Sequence, residues 1–192
     1  MHAFLLSTAV IFLAELGDKS QLMAMTFATR YKTRDVLLGI TVATALVHLV
    51  SVGLGRALGS GLAEYQWGIS IGAGVAFLVF AAWTIRGDEL TDDEAQAARR
   101  STGMAVVAVG TAFFMAELGD KTMLATVTLA TQEGWFGTWV GSTVGMVAAD
   151  ALAIGVGAWL GRSLPQRVVA VTAASALAIF GVVLITEGLL SR

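Results

Sequence analysis

Apolar residues fall in six long stretches along the chain, roughly 4–29, 36–59, 66–86, 103–130, 136–160 and 167–189. Each has about 20 residues or more, the length a helix needs to cross a bilayer. Polar residues collect in the short linkers between them, and short linkers imply antiparallel helix neighbours. One linker is longer. Residues 87–102 hold five acids and two arginines and read as a solvated loop. The pattern predicts an all-α, polytopic membrane protein with six transmembrane helices. The first stretch has no basic n-region, and Glu15 and Asp18 interrupt it, so it reads as a retained span rather than a signal peptide.

The stretches come in two sets of three. Residues 15–22, Glu-Leu-Gly-Asp-Lys-Ser-Gln-Leu, match residues 117–124, Glu-Leu-Gly-Asp-Lys-Thr-Met-Leu, at an offset of 102. At the same offset Gly39 matches Gly141, and Gly53, Gly55 and Gly59 match Gly155, Gly157 and Gly161. The two small-xxx-small pairs, Gly55/Gly59 and Gly157/Gly161, suit close helix packing in lipid. The expected organisation is repeat 1 at 1–86, a loop at 87–102, and repeat 2 at 103–192. Three spans per repeat is an odd number, so the second repeat would enter the membrane from the opposite side. Such inverted-topology repeats occur in many secondary transporters, with a site near the midplane at the repeat interface.

Charge sets the expected orientation. Arg30, Lys32, Arg34, Arg86, Arg99, Arg100, Arg162 and Arg167 fall on one side, and Arg56 and Arg192 on the other. The positive-inside rule then puts the loop at 87–102 in the cytoplasm and both termini outside, across the cell inner membrane. Composition agrees: 56% of residues are hydrophobic, 14% charged, and the mean hydropathy is +0.77. A net charge of −2 leaves no footprint for nucleic acid. Without cysteine there is no thiolate metal site, and two histidines are too few for a His-built zinc site. Tyr31, Tyr65, Trp67 and Trp135 flank span ends, as interfacial anchors do. Glu64 and Glu187 lie near span ends and read as solvated. No cofactor is implied, and the sequence leaves a monomer and a homodimer both open.

The chemistry lies in the duplicated motif. Glu15, Asp18 and Lys19, with Glu117, Asp120 and Lys121, fall within apolar spans. Six such charges would oppose insertion by about 15–20 kcal/mol at roughly 2.5–3.5 kcal/mol each, before any pairing. On a continuous helix each triplet shares one face, with Glu and Lys placed to pair locally at i, i+4. If the two motifs meet, four carboxylates and two lysines converge with a net charge that suits one divalent cation. Gly17 and Gly119 allow local unwinding, which offers backbone carbonyls to an ion. Ser20 and Thr122 add hydroxyl oxygens. These are hard ligands, suited to Mg²⁺, Ca²⁺ or Mn²⁺ rather than copper or zinc. The plainer alternative is a structural salt-bridge cluster that fixes helix register.

Two further positions carry polar chemistry. His48 and its counterpart Asp150 sit within spans two and five. They read either as satisfied core groups or as a proton-coupling pair, since histidine titrates near neutral pH. Met123 stands opposite Gln21 in the repeat. It is either helix filler or a thioether that favours a transition ion.

With these residues in view, the chain resembles uncharacterised protein family 0016, defined by E-x-G-D-[KR]-[ST] in spans one and four. That group includes bacterial manganese exporters of the MneA type and the Golgi transmembrane protein 165. The resemblance covers nearly the whole chain. It implies export of Mn²⁺, or of Ca²⁺ in some members, in exchange for protons. It places the family's acidic residues at Glu15, Asp18, Glu117 and Asp120, and its glutamine at Gln21; Met123 departs from the pattern. The expected cation ligands are then those four acids, with Gln21, Ser20 and Thr122 in support. Lys19 and Lys121 balance charge, and His48 and Asp150 are candidates for proton coupling. The rival readings are a Ca²⁺/H⁺ antiporter, an amino-acid exporter, a channel, and an intramembrane enzyme. The last lacks a nucleophile or a metal–histidine set.

Overall fold

The computed structural model describes residues 1–61, 63–86, 104–160 and 166–191. The acidic segment 87–102 and Gly161 lie outside the described residues. Among the described residues there is no strand, only eight α-helices and a single 3-10 turn. In chain order these are α1 (His2–Glu15), α2 (Lys19–Ala28), α3 (Thr33–Gly61), α4 (Gln66–Arg86), α5 (Ala105–Glu117), α6 (Lys121–Ala130), α7 (Trp135–Leu160) and α8 (Gln166–Leu190). The helices α3, α4, α7 and α8 are long and apolar enough to cross a membrane, while α1 and α5 are shorter apolar helices.

Two of the expected spans are therefore not continuous helices. The stretch 4–29 is split into α1 and α2, and 103–130 into α5 and α6. The motif itself encodes the split. Glu15 is the last residue of α1, and Leu16 turns extended (φ −62°, ψ 121°). Gly17 is left-handed at φ 79°. An L-residue would pay about 1–2 kcal/mol there, and glycine does not. Asp18 is extended (φ −77°, ψ 163°) and caps α2, its carboxylate accepting from the Ser20 amide at 3.5 Å. The second copy repeats the backbone path at Leu118, Gly119 (φ 81°) and Asp120, without the side-chain cap bond that Asp18 makes. Glu-Leu-Gly-Asp is thus a helix end, a reversal of backbone hand, and a new helix cap in four residues.

The split does not turn the chain back. A Cβ at Gly137 would meet Ala3, at Gly141 Phe4, and at Gly145 the Thr8 carbonyl at 2.6 Å, while Gly157 faces Met25. The run α1–α2 therefore lies along α7, in the same direction. Likewise Gly39 approaches Val106 and Val109, Gly55 approaches Val127, and Gly59 approaches Thr131, so α5–α6 runs parallel to α3. By contrast, Gly74 meets Gly181 and Ile185, and Gly188 meets Trp67 and Ile71, so α4 and α8 pack antiparallel. Exchanging positions 102 apart turns α1 against α7 into α5 against α3, and α2 against α7 into α6 against α3; all four pairs are in contact. Small residues at these crossings let backbones approach closely, so Gly55 and Gly59 are packing positions as the repeat suggested.

The molecule has an apolar surface, and its core holds a set of polar and charged side chains among apolar ones. Leu38, Val42, Leu46, Val50, Leu54 and Leu58 form an exposed stripe on α3 at four-residue steps. Ser7, Glu15, Asp18, Ser20, Gln21, Thr44, His48, Thr122, Thr126, Ser142 and Asp150 are buried. A protein in water would show the reverse, because burying polar groups is costly and exposing large apolar patches is rare. In lipid the apolar stripe needs no cover. The chain is an integral membrane protein.

Candidate functional site

The two helix breaks bring acids of both motifs together. Carboxylate oxygens of Glu15, Asp18 and Glu117 all lie within 4.8 Å of one another, and all three residues are buried. The breaks at Gly17 and Gly119 interrupt the i, i+4 geometry that a continuous helix would give. Because the breaks change the direction of each side chain, the pairs form across the repeat. Lys121 is ion-paired with Asp18, and Lys19 Nζ lies 3.8 Å from Asp120 Oδ1. These two contacts are the same contact under the offset of 102. Asp120 stands beside the three-carboxylate group, not among its shared oxygens, and is close enough to Glu117 to interact with it electrostatically.

The hydroxyls hold the glutamates. Ser20 donates to Glu15, and Thr122 Oγ1 donates to Glu117 at 2.9 Å. Each glutamate keeps its other oxygen, Oε2 of Glu15 and Oε1 of Glu117, buried without a hydrogen-bond partner. Buried polar atoms are seldom left so, and such exceptions mark sites for an ion or water. The residue after the hydroxyl pins the break. Gln21 Oε1 accepts from the Gly17 amide at 2.9 Å, and Met123 Sδ accepts from the Gly119 amide at 3.1 Å. Only glutamine can also donate, and Gln21 Nε2 does so to the Ala149 carbonyl on α7 at 3.0 Å. The two halves of the site therefore differ here.

The broken helices add their own field. The C-terminal ends of α1 and α5 carry partial negative charge into the cluster, and the N-terminal ends of α2 and α6 carry partial positive charge beside it. Discontinuous helices of this kind hold ions in transporters.

Elsewhere the placement is mixed. His48 on α3 and Asp150 on α7 are both buried, with His48 Nδ1 and both Asp150 oxygens lacking hydrogen-bond partners. Asp150 lies within electrostatic range of Asp18. Sequence reasoning did not foresee that Thr44 Oγ1 touches Met146 Sδ at 3.3 Å, although these residues are 102 apart and so are mates in the repeat. Glu64 and Glu187 are exposed, as expected near helix ends.

Buried carboxylates ion-paired with lysines at two helix breaks, inside an apolar-surfaced helical molecule, define a membrane transporter of cations. The chain belongs to the family described as divalent cation/proton antiporter GDT1, whose model matches residues 3–92 and 105–192. It is 34% identical over 170 residues to a Vibrio cholerae protein named "Putative manganese exporter", covering 86% of this chain and 81% of that one. It is 32% identical to the rice chloroplast protein GDT1-like protein 2 (Oryza sativa subsp. japonica), across 86% of this chain but 56% of that longer one. A Synechocystis GDT1-like protein is 27% identical across 95% of this chain and 96% of its own length. No solved structure matches the chain significantly. The family match bears out the resemblance drawn from the two motifs.

Proposed function

We propose that this antiporter exports Mn²⁺ across the inner membrane in exchange for protons, with the four motif acids as its cation ligands. The observation that carries the reading is the convergence of Glu15, Asp18 and Glu117 within 4.8 Å in a protein whose surface is apolar. Asp120 completes the set from the other break, and Gln21, Ser20 and Thr122 orient the ligands. Hard oxygen donors suit Mn²⁺ and Ca²⁺ alike. The name of the Vibrio cholerae relative favours manganese, and Ca²⁺ is the second reading.

In this reading Lys19 and Lys121 act as internal cations. Each occupies an aspartate of the opposite motif while the transported ion is away. Arrival of a divalent ion displaces them, and protons delivered from outside return the carboxylates to a state that releases the ion. His48 and Asp150 would relay those protons. The transport unit is two inverted three-helix repeats, 1–86 and 103–192, in which α1–α2 and α5–α6 each cross the membrane as a broken span. The helix directions support this. In an alternating six-span chain, spans one and five run together, spans two and four run together, and spans three and six oppose, as the glycine contacts have it. The acidic loop 87–102 would face the cytoplasm and both termini the outside. Rocking of one repeat against the other would alternate access.

Titration calorimetry on the purified protein tests the ion. Saturable Mn²⁺ binding, with Ca²⁺ competing only at higher concentration, is the expected result. Tighter Ca²⁺ binding would replace the manganese reading with the calcium one.

A further inference from the structure

Asp150 is the buried acid that the repeat does not duplicate. Its counterpart at the offset of 102 is His48, so whatever Asp150 does is done on one side of the site. It sits on α7, the helix along which α1 and α2 lie. Gln21 fixes the local register, its Nε2 bonding the carbonyl of Ala149, the adjacent residue, at 3.0 Å. Asp18, Glu15 and Glu117 all lie within electrostatic range of it, although its oxygens stand outside the three-carboxylate group that shares 4.8 Å. Its side chain is fully buried, and neither carboxylate oxygen has a hydrogen-bond partner.

A buried carboxylate with both oxygens unmatched and other carboxylates for neighbours does nothing for the stability of the empty protein. A hydrogen-bonding network would have supplied donors, as Ser20 and Thr122 do for the glutamates. What this position lacks is a positive charge. We propose that Asp150 is a further ligand of the transported cation, reaching it from α7 beside Asp18. The inference rests on the ELGDK cluster being the cation site. It makes the coordination asymmetric, with α7 contributing an acid and α3 contributing none at the matching position.

The test compares Asp150→Asn, Asp150→Glu and Glu15→Gln with the parent protein, reading Mn²⁺ affinity by calorimetry and thermal stability with and without Mn²⁺. Loss of even an outer-shell partner weakens metal binding by roughly 10–100-fold, so Asp150→Asn is expected to weaken Mn²⁺ binding at least tenfold. It should leave the empty protein as stable as the parent or more so, and shrink the stabilisation that Mn²⁺ confers. Asp150→Glu should recover part of the affinity. If Asp150→Asn leaves Mn²⁺ affinity and Mn²⁺ stabilisation unchanged while Glu15→Gln abolishes both, Asp150 is not a ligand and the motif site stands. If Asp150→Asn lowers the stability of the empty protein, its role is structural and the proposal fails. If Glu15→Gln leaves Mn²⁺ binding intact, the motif site itself is misassigned, and the proposal falls with it.

Discussion

Gly119 stands in the left-handed region with open space where a Cβ would go. Gly119→Ala therefore tests backbone hand without a steric clash. It should lower thermal stability by about 1 kcal/mol, and it should reduce transport by more than that loss explains, because the break shapes the site. Lys121 permits a sharper prediction. Its ion pair with Asp18 is buried. Lys121→Met should destabilise the empty protein by about 3–5 kcal/mol, the cost of orphaning a buried partner. It should also tighten Mn²⁺ binding, since the internal competitor is gone. Unchanged affinity in a folded Lys121→Met protein would argue that the lysine is structural only. At this scale the sequence was informative about identity and silent about pairing. The six charged motif residues could be named because charges inside apolar stretches are costly. That Lys121 pairs with Asp18, and Lys19 with Asp120, is not legible, because the pairing depends on the backbone reversals at Gly17 and Gly119 rather than on one helix face.

The helices show the same division. The stretches 36–59 and 66–86 correspond to α3 and α4 within a few residues, since nothing in them interrupts an apolar helix. The broken spans were legible only as glycines that permit unwinding. The cap at Asp18 is not legible in the sequence, because Glu-x-x-Asp-Lys also fits one face of an unbroken helix. Contacts between helices give a paired test on α7. A Cβ at Gly145 would come within 2.6 Å of the Thr8 carbonyl and 3.0 Å of the Phe12 amide, whereas at Gly155 it meets nothing. Gly145→Ala should destabilise the packing of α1 on α7 by about 1–3 kcal/mol. Gly155→Ala should be neutral or stabilising by up to about 1 kcal/mol, the helix-propensity gain. Thermal denaturation in detergent separates the two, and equal effects would place α1 elsewhere.

For the whole molecule, the helix contacts follow the offset of 102: α1 against α7 is matched by α5 against α3, while α4 and α8 face each other. Orientation in the membrane rests on the Lys and Arg bias alone. The absence of native cysteine makes it directly measurable. Lys32, between α2 and α3, and Gln132, between α6 and α7, are both exposed. A membrane-impermeant maleimide should label Gln132→Cys in intact cells and Lys32→Cys only after lysis; the opposite result would invert the assigned topology. The central claim concerns the motif acids, and the most direct measurement is transport by purified protein in liposomes loaded with Mn²⁺ under an imposed proton gradient. The parent protein should move Mn²⁺ against counter-moving protons, and Glu15→Gln and Asp120→Asn should each abolish that flux while remaining folded. Undiminished Mn²⁺ flux in both variants would contradict the assignment of the site.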